Sequence, residues 1–277
     1  MKPADATATA WGTALSETTD DSISLRGYDL AELMGTVPFP AVVHLLYTGE
    51  LPDPATARLI DAVMVACIDH GAGAPSVLAA RTVISGGATL QAGTAAGLLA
   101  LGEFHGAAVE SSMLAIGSVV DAAGGSDGAL AAAAEGLVTS CRREGRRVPG
   151  FGHRQHRAHD PRLDRLFAIA REVGVVGRHL AAAEAVEAAL TRSVGRPVPI
   201  NIDGAVAALL GEIDFPSDLG NALFIVSRIA GIVAHANEER QTMSPMRLVD
   251  PAGHAYHGPG RRALSTAAGA LPGEDLR

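Results

Sequence analysis

The stretch VPGFGHRQHRAHDPRLDRL, residues 148–166, places four arginines and three histidines directly after a Pro-Gly-Phe-Gly turn. The wider segment 142–165 holds eight arginines against three acidic residues, a formal charge of about +5 in a chain of net charge −8. A charged run is usually a solvated surface. The histidines, the glycine turn and a helix start at Asp160-Pro161 instead favour a site for an anionic ligand.

The spacing of His153, His156 and His159 raises the alternative of a metal site. On a helix, side chains three residues apart fan out by about 60° per step, whereas zinc needs a set geometry of three or four ligands. The neighbouring arginines would also repel a cation. We therefore expect no metal at this segment.

Composition predicts closely packed helices. Hydrophobic residues make up 48% of the 277 residues but aromatic residues only 4%, so the apolar mass is Ala, Leu, Val and Ile. The acidic balance argues against general nucleic-acid binding. Cys67 and Cys141 form no CxxC pair, and we see neither an apolar signal core nor an apolar run of membrane-span length. We expect a cytoplasmic protein with reduced thiols and no membrane contact.

Helical patterns fill most of the chain, without sustained strand alternation, so we predict an all-α fold. The segment 22–71 reads as short helices punctuated by Pro and Gly, and the tail from Pro251 as irregular. Four small residues predict a close helix–helix interface, within a subunit or between two: Gly93, Gly97, Ala100 and Gly102.

Three polar residues stand at predicted helix ends: His70 in CIDHGAG, His105 in GEFHGAAVE and Asp203 in PINIDGAVAALL. Taken singly, each has a structural explanation: His70 as a helix C-terminal histidine, His105 as a satisfied core histidine and Asp203 as an N-cap. Together with arginines they form the set that carbon-acid chemistry needs. Such chemistry uses a carboxylate base, neutral imidazole donors and cations for a polyanionic substrate.

The segment GFGHRQHRAHDPR, residues 150–162, resembles the signature of the citrate synthase superfamily, G-aromatic-G-H followed by a basic residue and D-P-R. The resemblance continues in chain order from Ile23 to Pro259. It runs through LRGYDLAEL, DHG, FHGAAVE, INIDGAVAALLG, VSRIAGIVAHANEE and YHGP. The short chain, the GHR sequence at Arg154 and the NIDG motif resemble citryl-CoA lyases and the lyase module of ATP-citrate lyase more than citrate synthases.

The resemblance implies a role for each matching residue. His105 would hydrogen-bond the acetyl-thioester enolate, Asp203 would exchange the acetyl α-proton, and His153 would act at the citryl hydroxyl. The residues that would bind substrate carboxylates are His70, Arg162, Arg228 and Arg247, the last of them donated across a dimer. CoA contacts fall to Arg26, Arg154 and Arg157. His156 and His159 match no fixed position of the family.

The resemblance also implies an architecture and an activity. The fold would have a large domain (1–108 and 214–277), a small domain (109–213), an active site in the cleft between them, and a homodimer interface built by helices around 88–118. The expected reaction cleaves citryl-CoA to acetyl-CoA and oxaloacetate, with the CoA thioester as substrate and no further cofactor. The alternatives are a citrate or 2-methylcitrate synthase and a non-catalytic acyl-CoA-binding homologue. Ala107 replaces the second glycine of the family's H-G-G-A, which supports the last alternative.

Overall fold

The computed structural model describes residues 12–103, 105–106, 108–152, 160–248 and 250–262. These residues form mainly α-helices, which confirms the predicted fold class. The strands are β1 (Ser16–Thr18), β2 (Ile23–Leu25) and β3 (Tyr28–Asp29). The helices are α1 (Leu30–Leu33), α2 (Phe39–Thr48), α3 (Pro54–Cys67), α4 (Pro75–Ser85), α5 (Leu90–Leu99), α6 (Val109–Ala122), α7 (Leu130–Arg143), α8 (Pro161–Glu172), α9 (Arg178–Val194), α10 (Ile202–Glu212) and α11 (Gly220–Thr242).

The N-terminal segment forms a small antiparallel sheet in the order β1-β2-β3, where short helices were predicted. Its strands have only three, three and two residues and are largely exposed. Strands this short and exposed show no alternation of apolar and polar residues, so the sequence carries no signal for them. The tight turn between β2 and β3 uses positive φ angles at Arg26 (51°) and Gly27 (87°).

Most helix starts follow the predicted local chemistry. Pro54 occupies the first turn of α3, and Asp53 caps that helix by accepting from the Ala55 N–H (2.8 Å). Pro161 opens α8 in the same way, with Asp160 accepting from the Arg162 N–H (3.1 Å). These caps fix where α3 and α8 begin, and both helices carry site residues at one end.

The helices pack in two groups, joined by α3 and α8 and by a direct contact between α6 and α11. One group comprises α6, α7, α9 and α10, and the other comprises α4, α5 and α11. Within the second group a Cβ on Gly93 would lie 2.6 Å from Cγ1 of Ile84, and a Cβ on Gly97 would lie 2.6 Å from Cγ2 of Ile232. The predicted small-residue interface therefore exists inside this subunit, where glycine lets α5 approach α4 and α11.

The larger hydrophobic core contains residues on both sides of the predicted domain boundary, including Val63 on α3, Ile116 on α6 and Phe224 on α11. The division into domains at 108/109 and 213/214 stays a prediction.

Helix α11 lies in the segment Ser217–Thr242, which within the described part of the chain is long and apolar enough on average to cross a membrane. It nevertheless packs against α3, α4, α5 and α6. It also buries Arg228 and Glu239, both with hydrogen-bond partners. Packing on four helices and burial of paired charged residues are typical of a helix in a protein core.

Candidate active site

His105 lies between α5 and α6, on a loop closed by two backbone hydrogen bonds with Gly102. The Gly102 N–H donates to the His105 carbonyl (2.9 Å), and the His105 N–H donates to the Gly102 carbonyl (2.8 Å). The following residue, Gly106, has φ = +78°, and a Cβ there would lie 2.6 Å from Cε1 of Phe224. Only glycine suits such a position, so the His-Gly pair fixes where the imidazole stands.

Ser76, in the first turn of α4, sets the tautomer of the His105 ring. The Ser76 backbone N–H donates to His105 Nε2 (3.3 Å), and the buried Ser76 hydroxyl lies 2.8 Å from the same nitrogen. Because a backbone N–H can only donate, Nε2 is the acceptor and a neutral ring carries its proton on Nδ1. Burial lowers the pKa of His105, and the charges of Arg228 and His70 lower it further. His105 is therefore a neutral hydrogen-bond donor at neutral pH.

Asp203 stands in the first turn of α10, but it does not cap the helix. Asn201 is the N-cap, because its Oδ1 accepts from the Gly204 N–H (3.1 Å). Burial raises the pKa of Asp203, although the positive charges of Arg162 and Arg228 act in the opposite direction. Because Asn201 supplies the cap, the carboxyl of Asp203 remains available for proton transfer, with a pKa moved towards the working range of an acid–base group.

Arg228 on α11 interacts with both His105 and Asp203, because its positive charge lowers the pKa of each. Its guanidinium donates from Nε to the Cys67 carbonyl (2.7 Å) and lies 4.7 Å from the ring centroid of Phe224. The side chain is buried at 2% exposure. Arg228 is thus held rigidly, with one edge anchored to the end of α3.

Cys67 lies among these charges. Burial raises the pKa of its thiol to about 12, and the negative charge of Asp203 acts in the same direction, against Arg228 and Arg162. The Cys67 thiol is therefore uncharged at neutral pH and lies among the site residues without acting as a nucleophile.

Arg162 and His70 complete the cluster from α8 and from the loop after α3. Asp160 holds the Arg162 guanidinium through both carboxylate oxygens, at 3.0 Å from Nε and 2.6 Å from Nη2. Arg162 Nη1 also donates to the Ala66 carbonyl (3.3 Å), near the end of α3. His70 follows three residues after α3 and acts electrostatically on His105. Electrostatic interactions thus link His70, His105, Arg162, Asp203 and Arg228, whose roles in binding and catalysis stay predictions.

The glycine turn 149–152 is joined to the chain that leads into α10. The Gly152 N–H donates to the Pro199 carbonyl (2.7 Å), and the Asn201 N–H donates to the Gly150 carbonyl (3.0 Å). Asn201 Nδ2 also donates to the Gly152 carbonyl (2.9 Å). The end of the glycine turn therefore lies beside the first turn of α10. The predicted site residues His153, Arg154 and Arg157 follow it and lie outside the described residues, as do His156, His159 and Ala107.

Two predicted site residues make other contacts within this subunit. Arg26 donates from Nε (3.3 Å) and Nη2 (2.8 Å) to the Leu46 carbonyl near the C-terminal end of α2. Arg247 binds both carboxylate oxygens of Glu239, which also accepts from Nε of Arg81 (2.7 Å). Glu239 lies 11 residues beyond Arg228 on α11, about 16 Å along the helix axis. The CoA role of Arg26 and the role of Arg247 across a dimer stay predictions.

Metal binding has no support in the part of the chain that the structure describes, where no group of three or more His, Cys, Asp or Glu could hold an ion. The His153, His156 and His159 triplet lies outside that part.

Ser76 and Asn201 are the residues that sequence reasoning missed. Ser76 follows Pro75 at an ordinary helix start, and only the fold brings it to His105, 29 residues away. Asn201 stands two residues before Asp203, and Asn and Asp are equally good N-caps, so only the register of α10 decides between them.

Comparison with known proteins explains this arrangement. Residues 52–251 match the citrate synthase C-terminal domain family. The chain belongs to the citrate synthase family. Within this family it is 32% identical to putative citrate synthase 2 of Mycobacterium tuberculosis over 228 residues, which cover 80% of this chain and 57% of that protein. It is 29% identical to the citrate synthase of Mycolicibacterium smegmatis over 251 residues, 85% of this chain and 62% of that protein. The chain thus spans less than two thirds of the length of these relatives.

Among solved structures of the family, the citryl-CoA lyase from Hydrogenobacter thermophilus superposes with a TM-score of 0.84 at 36% identity, covering 93% of this chain and 98% of that chain. The citrate synthase from Thermotoga maritima superposes with a TM-score of 0.64 at 24% identity, over 82% of this chain and 60% of that chain. The second likeness shows the shared fold. The citrate synthase-like fold that the sequence predicted is therefore confirmed.

Proposed function

We propose that this protein is a citryl-CoA lyase, which cleaves citryl-CoA into acetyl-CoA and oxaloacetate. The observation that carries the proposal is the likeness to the Hydrogenobacter thermophilus lyase over nearly the whole of both chains.

The site has the groups for the carbon–carbon cleavage. Loss of the proton from the tertiary hydroxyl of citryl-CoA, which we assign to His153 by sequence resemblance, starts the cleavage. The bond between the carbinol carbon and the methylene carbon then breaks, which leaves oxaloacetate and the enolate of acetyl-CoA. The enolate oxygen accepts a hydrogen bond from Nδ1–H of neutral His105, and protonated Asp203 donates to the methylene carbon.

The charges fit the substrate. The citryl group carries two carboxylates, and Arg162 and Arg228 carry fixed positive charges beside Asp203. The hydrogen bond that anchors Arg228 to the Cys67 carbonyl uses Nε, which leaves its two terminal nitrogens for a substrate carboxylate. A planar guanidinium with free N–H groups binds a carboxylate well. The raised pKa of Asp203 favours the protonated form that the last step needs.

The test feeds citryl-CoA to the purified protein and measures oxaloacetate with a coupled NADH-dependent reductase and free CoA with a thiol reagent. A lyase releases oxaloacetate without free CoA, because the thioester survives as acetyl-CoA. The variants His105→Ala and Asp203→Asn should each lower the rate by about 10² to 10⁴-fold, the usual contribution of a positioned acid–base or oxyanion group.

The second candidate is a citrate synthase, which the names of the curated relatives favour. A synthase hydrolyses the thioester, so it would release free CoA and citrate from citryl-CoA. It would also release CoA rapidly from oxaloacetate plus acetyl-CoA. Either result overturns the lyase proposal. Binding of CoA with no product from either mixture would indicate a non-catalytic homologue.

A further inference from the structure

Helix α11 contacts the end of α3 and the loop after it at successive turns. The Ser227 hydroxyl donates to the Met64 carbonyl, and Arg228 Nε donates to the Cys67 carbonyl. One turn later a Cβ on Gly231 would lie 2.4 Å from the Ile68 carbonyl oxygen. The loop that begins at Ile68 therefore rests directly on the backbone of α11.

The contact after Gly231 is polar. His235 Nε2 lies 3.2 Å from Asp69 Oδ1, and the other oxygen, Oδ2, accepts from the Gly71 N–H (2.9 Å). One carboxylate thus ties the residue before His70 to α11 and to the residue after His70. Both ends of the peptide that carries His70 are restrained by it.

Two described charged residues, Glu238 and Arg228, interact with this pair. Glu238, one turn from His235 on the same helix, lies 3.9 Å from His235 Nδ1, with 58% of its side chain exposed. Asp69 also acts electrostatically on Arg228. The His235 side chain is 19% exposed and that of Asp69 37%. The pair is therefore partly exposed, and its hydrogen bonds restrain the residues on both sides of His70.

We propose that Asp69 and His235 are positioning residues that hold His70 in the orientation needed to bind a carboxylate of the oxo acid. This inference rests on the proposed function and on the role in carboxylate binding that the sequence resemblance implies for His70. The pair does not touch reacting atoms, so its effect falls on affinity for the four-carbon part of the substrate. CoA affinity, which depends on other segments, should not change.

The test compares His235→Ala, which removes the contact, with His235→Gln, whose amide can still donate to Asp69. Glu238→Gln is the matched control on the same helix face. Calorimetry measures oxaloacetate and CoA affinity separately, and hydrogen exchange reports on residues 68–71 without any substrate. His235→Ala should weaken oxaloacetate binding by roughly tenfold, because small displacements of substrate-positioning groups carry penalties of this order or more. It should leave CoA binding unchanged and accelerate exchange at residues 68–71.

His235→Gln should recover most of the affinity, and Glu238→Gln should match the wild type. The inference is overturned if His235→Ala leaves exchange at 68–71 unchanged, or if it weakens oxaloacetate and CoA binding equally. Failure of the wild-type protein to bind oxaloacetate or to cleave citryl-CoA overturns the proposed function instead. Hydrogen exchange still decides in that case whether the pair restrains the loop.

Discussion

At the scale of single residues, the chemistry is decided by neighbours that hold each group in one protonation state. His105 is neutral because it is buried beside positive charge, and Ser76 directs its proton to Nδ1. The sequence identified His105 and Asp203 from their motifs. It did not identify Ser76, whose role depends on a contact between distant segments.

The raised pKa of Asp203 predicts a stability effect with a definite sign. A carboxyl whose pKa is higher in the folded state stabilises the fold fully below its unfolded pKa, and that contribution is lost as pH rises through the folded value. In the variant Asp203→Asn the side chain does not ionise, so the fold does not lose this stability as the pH rises. The melting temperature of the variant relative to wild type should therefore increase from about pH 3 to about pH 8, because this range begins below the ordinary carboxyl pKa of about 4. Thermal scans across this pH range measure it, and a difference independent of pH would contradict the raised pKa.

At the scale of elements, close backbone contacts set the distances within the site. The start of α10 lies against the glycine turn 149–152, and a Cβ on Gly204 would lie 2.2 Å from the Gly150 carbonyl oxygen. The existence of most helices was predictable from their apolar periodicity and their Pro and Asp starts. This contact was not predictable, because periodicity does not say which turn meets which helix.

Gly204→Ala should therefore destabilise the protein by about 1 to 3 kcal/mol, the usual penalty for overpacking, and should also lower activity by displacing Asp203. The control is Gly136→Ala on α7, where a Cβ meets nothing within 4 Å. That substitution should stabilise the helix by about 0.5 to 1 kcal/mol. Urea unfolding measures both, and equal effects of the two substitutions would show that the contact at Gly204 is unimportant.

At the scale of the whole molecule, buried charge joins distant parts of the chain. Glu239 on α11 accepts from Arg81 on α4 and from Arg247 after the helix, and its side chain is only 1% exposed. The sequence placed Arg247 in a binding role but could not show this cluster, because Arg81 lies 158 residues from Glu239 in the chain. The sheet at 16–29 was missed for a different reason, since its strands are too short to show a pattern.

Glu239→Ala should destabilise the fold by about 3 kcal/mol, because it leaves the buried guanidinium of Arg81 without its partner. Glu172→Ala is the control, because its ion pair with Arg58 is exposed on both sides (54% and 42%) and exposed pairs contribute little. Urea unfolding of both variants checks the difference. A similar midpoint for the two variants would show that the buried cluster contributes no more than a surface pair.

Helix α11 carries Arg228, Gly231, His235 and Glu239 on consecutive turns, each fitted to a different neighbour. An inserted or deleted residue would turn everything beyond it by about 100° about the helix axis. The length of this helix between residues 227 and 239 should therefore be fixed during evolution even where its side chains are free to vary. Insertions and deletions should accumulate in the connections between helices instead.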